Sequence, residues 1–133
     1  MLNQLKKEIL FLDPVCTHNI WGGSRLREEF GYPEAGDDIG ECWGISAHPK
    51  GDGTVRCGVL AGKKLSEVWE GHRELFGNLP CEQLPIMAKL IDARQDLSIQ
   101  VHPGDAYAAA HENGSLGKTE SWYVIDAPEG ATL

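Results

Sequence analysis

A mainly β chain with one good amphipathic helix is the fold class this sequence predicts, and three observations predict it. Sixteen glycines and seven prolines among 133 residues cut the chain into many short segments, the punctuation of all-β architectures. Several segments alternate polar and apolar residues with period two, which places each set on its own face of a strand. One segment, "LSEVWEGHRELFG", instead repeats its apolar residues at helical spacing.

In chain order, residues 11–18 predict an early strand closed by Trp21-Gly22-Gly23, and residues 24–30 a single helical turn. "GECWGISAHPKG" alternates as a strand with Glu41, Trp43 and Ile45 on one face, then ends in a Pro/Gly turn. The helix follows, with Leu65, Val68, Trp69, His72, Leu75 and Phe76 on its apolar face. Ser66 is its expected N-cap and Gly77 its stop. His72 on that face reads as a packed or hydrogen-bonded core histidine. "LPIMAKLID" and "LSIQVHP" read as two strands of a hairpin turned by "ARQD". "GDAYAAAHENG" predicts a short helix with Asp105 as N-cap and Gly114 just past its end. "GKTESWYVIDAP" predicts a last strand with Lys118, Glu120 and Trp122 on one face.

The bulk properties narrow the function classes. The length suits one domain over residues 1–133, with no repeat or linker inside it. A formal charge of −8 argues against nucleic acid and anionic membrane as partners, while leaving room for a small phosphorylated ligand held by local cations. "MLNQLKKEILFLDP" has too short an apolar run for a signal peptide or a membrane span. Cys16, Cys42, Cys57 and Cys81 form no C-x-x-C pair, and we read them as reduced thiols of a cytoplasmic protein, used for packing.

The residues able to carry chemistry gather near "LSIQVH". Alternation sets Ser98, Gln100 and His102 on one face and Leu97, Ile99 and Val101 on the other. If the last strand lies beside this one, the polar face meets Lys118 and Glu120. An imidazole, a carboxylate and an amide oxygen suit Zn²⁺ or a similar ion, and a neighbouring lysine suits an anionic substrate. A water-facing strand face explains the same pattern. Lys89 is likewise either an exposed strand lysine or a pocket cation. "GVLAGKK" is one residue short of a P-loop and lacks its Ser/Thr, and no G-x-G-x-x-G or H-E-x-x-H occurs.

The run "LIDARQDLSIQVHPGDAYAAAHENGSLGKTESWYVIDAPEGA" closely resembles the central signature of the type I mannose-6-phosphate isomerases, in their short bacterial form. Upstream, "FLDPV…NIWGGSRL", "GECWGISAHPKG" and "KKLSEVWEGHRELFG" resemble the family's opening strand, its E-x-W-x-I-S-x-H-P-x-G segment and its helix. The likeness implies a cupin-like jelly-roll barrel holding one Zn²⁺, with His102, Glu120 and Gln100 matching metal ligands. Ser98 and Lys118 match positions near the bound sugar phosphate, and Trp21, Glu41, His48 and Lys89 fall in segments of the pocket region. The reaction implied is the reversible conversion of mannose 6-phosphate to fructose 6-phosphate by proton transfer between C1 and C2.

Family members are longer, and their remaining ligand histidine and a functional arginine have no match here. The favoured expectation is an N-terminal fragment or truncated product of an isomerase, an incomplete barrel with open sheet edges; a second is a half-barrel covered by self-association or by a complementing chain. The isolated chain is expected to have little or no isomerase activity. The alternative expectation is a non-catalytic cupin-like module that binds a sugar phosphate or a metal.

Overall fold

The structure is a computed structural model that describes residues 9–32 and 37–132. It divides into two compact units, Met1–Leu97 and Ser98–Leu133. The first carries all the described strands: β1 (Leu12–Asp13), β2 (Val15–Gly23), β3 (Ile39–Ile45), β4 (Ala47–His48), β5 (Gly51–Asp52), β6 (Thr54–Val55) and β7 (Ala88–Ile91). Two short helices, α1 (Arg25–Glu28) and α2 (Leu65–Gly71), lie among them.

The sheet that organises this unit is antiparallel, in the order β2-β3-β7. Cys16 opposes Cys42 and Thr17 opposes Glu41 on one side of β3, while Lys89 opposes Trp43 and Leu90 opposes Cys42 on the other. The predicted early strand splits at Pro14, which has no N–H to give a ladder, and resumes as β2 through the W-G-G turn. Both His18 and Gly23 pair with Ile39, so residues between them bulge out of the ladder. Glycine is required at this crossing. A Cβ on Gly22 would lie 2.4 Å from the Gly40 nitrogen, and one on Gly40 would lie 2.4 Å from the Trp21 ring.

Two apolar clusters fill the unit. Leu26, Ile39 and Cys42 pack with Cys16, Tyr32 and Leu90 beneath the sheet. Val55, Leu60 and Val68 pack with Leu10, Leu12, Leu75 and Phe76 under α2. The helical pattern holds, with two corrections. Lys64 is the N-cap of α2, its amide donating to Glu67 Oε2 at 2.7 Å. Ser66 sits inside the first turn, where its hydroxyl donates to Asp52 Oδ2 at 2.5 Å. The helix also stops at Gly71, and residues Arg73–Phe76 form a 3₁₀ turn ended by Gly77 at φ +70°. The Arg73 guanidinium, 4.1 Å over the Trp69 ring, bonds the carbonyls of Cys81 and Glu82 and so holds that turn apart from the helix. His72 is half-buried and contacts Glu74 Oε1 at 3.2 Å, in line with a hydrogen-bonded core histidine.

The hairpin expected around "ARQD" does not form. Arg94 and Gln95 instead donate to the Trp21 carbonyl at 2.8 and 3.2 Å, while Asp92 Oδ2 accepts from the Arg25 amide at 2.8 Å. Residues 92–95 therefore run back along the end of β2 rather than turning.

The second unit has one helix, α3 (Asp105–His111), capped by Gly104 rather than by Asp105. The helix ends before Asn113 and Gly114, both at positive φ. Residues 97–102 and 117–128 have no ladder partners among the described residues, and so are not strands. Period-two alternation records which faces these segments offer, but a strand also needs a neighbour to take its N–H and C=O groups. Ile99, Val101 and Tyr123 are almost fully exposed.

Candidate functional site

In the second unit Gly117 donates its amide to Asp105 Oδ1 at 2.9 Å, and Lys118 donates its own to the Pro103 carbonyl at 3.1 Å. A side chain at Gly117 would collide with the Asp105 backbone, its Cβ 2.6 Å from the amide nitrogen. This close crossing brings residues 118–120 against residue 102. Lys118 Nζ stands 3.2 Å from His102 Nε2 and 3.2 Å from Glu120 Oε2, and the last two atoms are 3.4 Å apart. The side chains of His102 and Glu120 are 27% and 24% exposed.

Partial desolvation pushes the Glu120 carboxyl up, but the hydrogen bond and charge of Lys118 work against it. With smaller contributions from His102 and Trp122, they hold the carboxyl below the usual glutamate range. Glu120 is thus a carboxylate at neutral pH, facing His102 Nε2 and the Lys118 ammonium. Gln100 donates its amide to Ser98 Oγ at 3.0 Å. Among the described residues no group of three or more His, Cys, Asp or Glu side chains converges. The unit by itself assembles two metal-type donors and one cation.

A second cluster lies on the β3–β7 face of the first unit. Glu41 Oε2 accepts from Trp43 Nε1 at 2.6 Å, and Lys89 Nζ lies 3.2 and 3.3 Å from the two Glu41 oxygens. The same ammonium sits 5.1 Å over the Trp43 ring, whose edge meets His48 at a centroid distance of 5.8 Å. Strand register explains the grouping: Lys89 directly opposes Trp43, and Glu41 precedes Trp43 on the same face. Trp21 packs its ring over Gly40. Sequence reading put Glu41 and Lys89 in the pocket region but passed over Trp43, which ties them together. The alternation of Glu41 and Trp43 was the available signal, incomplete without knowing that β7 pairs beside β3.

Residues 9–126 match the family model for the phosphomannose isomerase type I catalytic domain. The chain belongs to the type I phosphomannose isomerases. It is 50% identical over 126 residues to the mannose-6-phosphate isomerase ManA of Bacillus subtilis, a match that covers 95% of this chain and 40% of that protein. A mannose-6-phosphate isomerase of Streptococcus mutans is 52% identical over 126 residues, again with 95% and 40% covered. The crystal structure of a Bacillus subtilis mannose 6-phosphate isomerase superposes with a TM-score of 0.89 at 52% identity, over 92% of this chain and 39% of that one. A mutant phosphomannose isomerase of Salmonella typhimurium matches with a TM-score of 0.62 at 27% identity, over 78% of this chain and 29% of that one. The mainly β, cupin-like fold class expected from the sequence is therefore that of the type I phosphomannose isomerases. The chain spans about two fifths of the length of the curated family members it matches. Among the described residues no helix is long and apolar enough to cross a membrane.

Proposed function

We propose that this chain supplies the first part of a mannose-6-phosphate isomerase site, which interconverts mannose 6-phosphate and fructose 6-phosphate with Zn²⁺ as cofactor. The observation that carries this reading is the meeting of His102 Nε2, Glu120 Oε2 and Lys118 Nζ within 3.4 Å of one another, in a chain half identical to curated isomerases over 95% of its length.

The donor set fits zinc in kind and falls short in number. An imidazole nitrogen and an ionised carboxylate are ordinary zinc ligands, and both already face a cation, the Lys118 ammonium. Catalytic zinc takes about three protein ligands. Gln100 is the candidate third ligand within this chain, its amide at present engaged by Ser98. A bound zinc supplies Lewis acidity that stabilises negative charge on the sugar oxygens during isomerisation.

The chain's own residues do the remaining work. His102 and Glu120 hold the metal, and Lys118 places positive charge beside them to attract an anionic sugar phosphate. Ser98 offers a hydroxyl to the same ligand. Taken by itself, the other unit offers a preset polar face of Glu41, Lys89 and Trp43 that suits a sugar phosphate, with Trp21 in the neighbouring turn. We place the reaction in the cytoplasm, in keeping with four free thiols. A chain with two fifths of the relatives' length needs the rest, from its own continuation or a complementing chain, for full turnover.

Zinc stoichiometry tests this, measured on the purified 133-residue chain, on His102→Ala and on Glu120→Ala, with mannose 6-phosphate isomerisation assayed on the same samples. We expect bound zinc that both substitutions abolish, and isomerase activity far below that of full-length relatives. A folded chain that takes up no zinc overturns the metal assignment and leaves a metal-free sugar-phosphate module, which the Lys118 contacts to both donors would favour.

A further inference from the structure

Cys16 and Cys42 are direct cross-strand partners on β2 and β3, and their sulfurs lie 3.2 Å apart. Directly opposed residues of an antiparallel pair have Cα atoms about 4.5 to 5.5 Å apart, inside the window of roughly 4.4 to 6.8 Å that disulfides occupy. The backbone therefore already has the spacing a cross-link needs, and the sulfurs must close by little more than an ångström. Cys42 is fully buried beneath the sheet, whereas Cys16 is half-buried. Cys57 is exposed and Cys81 half-buried.

We propose that Cys16 and Cys42 form an oxidisable dithiol that a small peroxide converts to a disulfide, stapling β2 to β3. The steps balance as a two-electron oxidation. Cys16 sulfur takes one oxygen from hydrogen peroxide, giving a sulfenic acid and releasing one water. Cys42 sulfur then bonds to Cys16 sulfur, and the sulfenic hydroxyl leaves with the Cys42 proton as a second water. Two thiols and one peroxide thus give one disulfide and two waters. Cys42 is fully buried and Cys16 half-buried, so peroxide reaches Cys16 first and Cys42, already beside it, closes the link.

Cys42 lies between Glu41 and Trp43 but points to the opposite face of β3, so the link forms behind the Glu41–Lys89–Trp43 cluster without displacing it. In a reducing cytoplasm the pair rests as thiols, as all four cysteines do here. Oxidative conditions then lock the strand pair that carries the polar face.

The test treats a Cys57→Ser, Cys81→Ser double variant, folded at neutral pH, with hydrogen peroxide, followed by unfolding, alkylation and mass analysis. We expect a product lighter by two hydrogens, with neither thiol alkylated, one peptide joining Cys16 to Cys42, and full reversal by dithiothreitol. Adding Cys16→Ser should abolish both the mass loss and any cross-linked peptide. Recovery of both thiols in alkylated form, or addition of oxygen without a cross-link, overturns the proposal.

Discussion

The Asp105 carboxylate accepts the Gly117 amide at 2.9 Å, and this bond holds the chain crossing that sets Lys118 and Glu120 against His102. Asp105 was expected to cap α3; instead it reaches twelve residues along the chain. Asp105→Ala is expected to destabilise the chain by about 1 kcal/mol through loss of a charge-assisted hydrogen bond. Gly117→Ala should cost more, because its Cβ meets backbone that cannot step aside. Urea unfolding of the two variants beside wild type checks the order.

Gly22 is held at the crossing of β2 and β3. Its Cβ would press on backbone atoms of 38–40 at 2.4 to 2.6 Å, whereas one on Gly40 meets side-chain atoms of Trp21 and Asn19. Gly22→Ala is expected to lower stability by about 3 kcal/mol or to prevent folding, and Gly40→Ala by less, at the lower end of the overpacking range of about 1 to 3 kcal/mol. Thermal melts rank them; equal tolerance of both substitutions would contradict the crossing.

Glu41 accepts from two donors at once, Trp43 Nε1 and Lys89 Nζ. Its replacement by alanine strands both donors in a half-buried place and is expected to cost about 1 to 3 kcal/mol. Lys89→Met keeps the aliphatic stem against the Trp43 ring and leaves Glu41 one partner, so its cost should stay near or below about 1 kcal/mol. Denaturant midpoints of the two variants give the comparison directly.

Alkaline pH should weaken the fold through Cys42. Its thiol is pushed up to about 12 in the folded chain, first by burial and then by Cys16, against an unfolded value of about 8.5. A raised folded value means the stabilisation is complete below the unfolded value and is lost as pH rises through the folded one. Unfolding free energy should thus fall between about pH 9 and 12, at up to roughly 1.4 kcal/mol per pH unit. Tyr32, raised chiefly by burial and then by Cys42 and Cys16, adds to the fall in the same direction. Urea unfolding at several alkaline pH values measures the slope, and Cys42→Ala should flatten it.

Much of the candidate site was legible as residues and little of it as geometry. His102, Lys118 and Glu120 were named from a polar strand face, and they meet. They meet because a glycine and an aspartate pin a loop crossing, not because two strands pair. Gln100 shares the predicted face but bonds to Ser98, since no ladder fixes its neighbours. The helix was legible from its period, whereas its break at Gly71 depends on Arg73 reaching carbonyls around residue 81, a tertiary effect outside any local pattern. "ARQD" carries turn residues, yet the Trp21 carbonyl takes the Arg94 and Gln95 amides and overrides them.

The ammonium of Lys89 over the Trp43 ring, with the indole N–H held by Glu41, also gives the molecule a built-in optical reporter. Indole emission responds to charges held close to the ring. An anion that draws Lys89 away removes a positive charge from the ring and frees Glu41 to tighten on the N–H. Occupancy of this face is therefore readable as a change in Trp43 fluorescence, with no label and no turnover required.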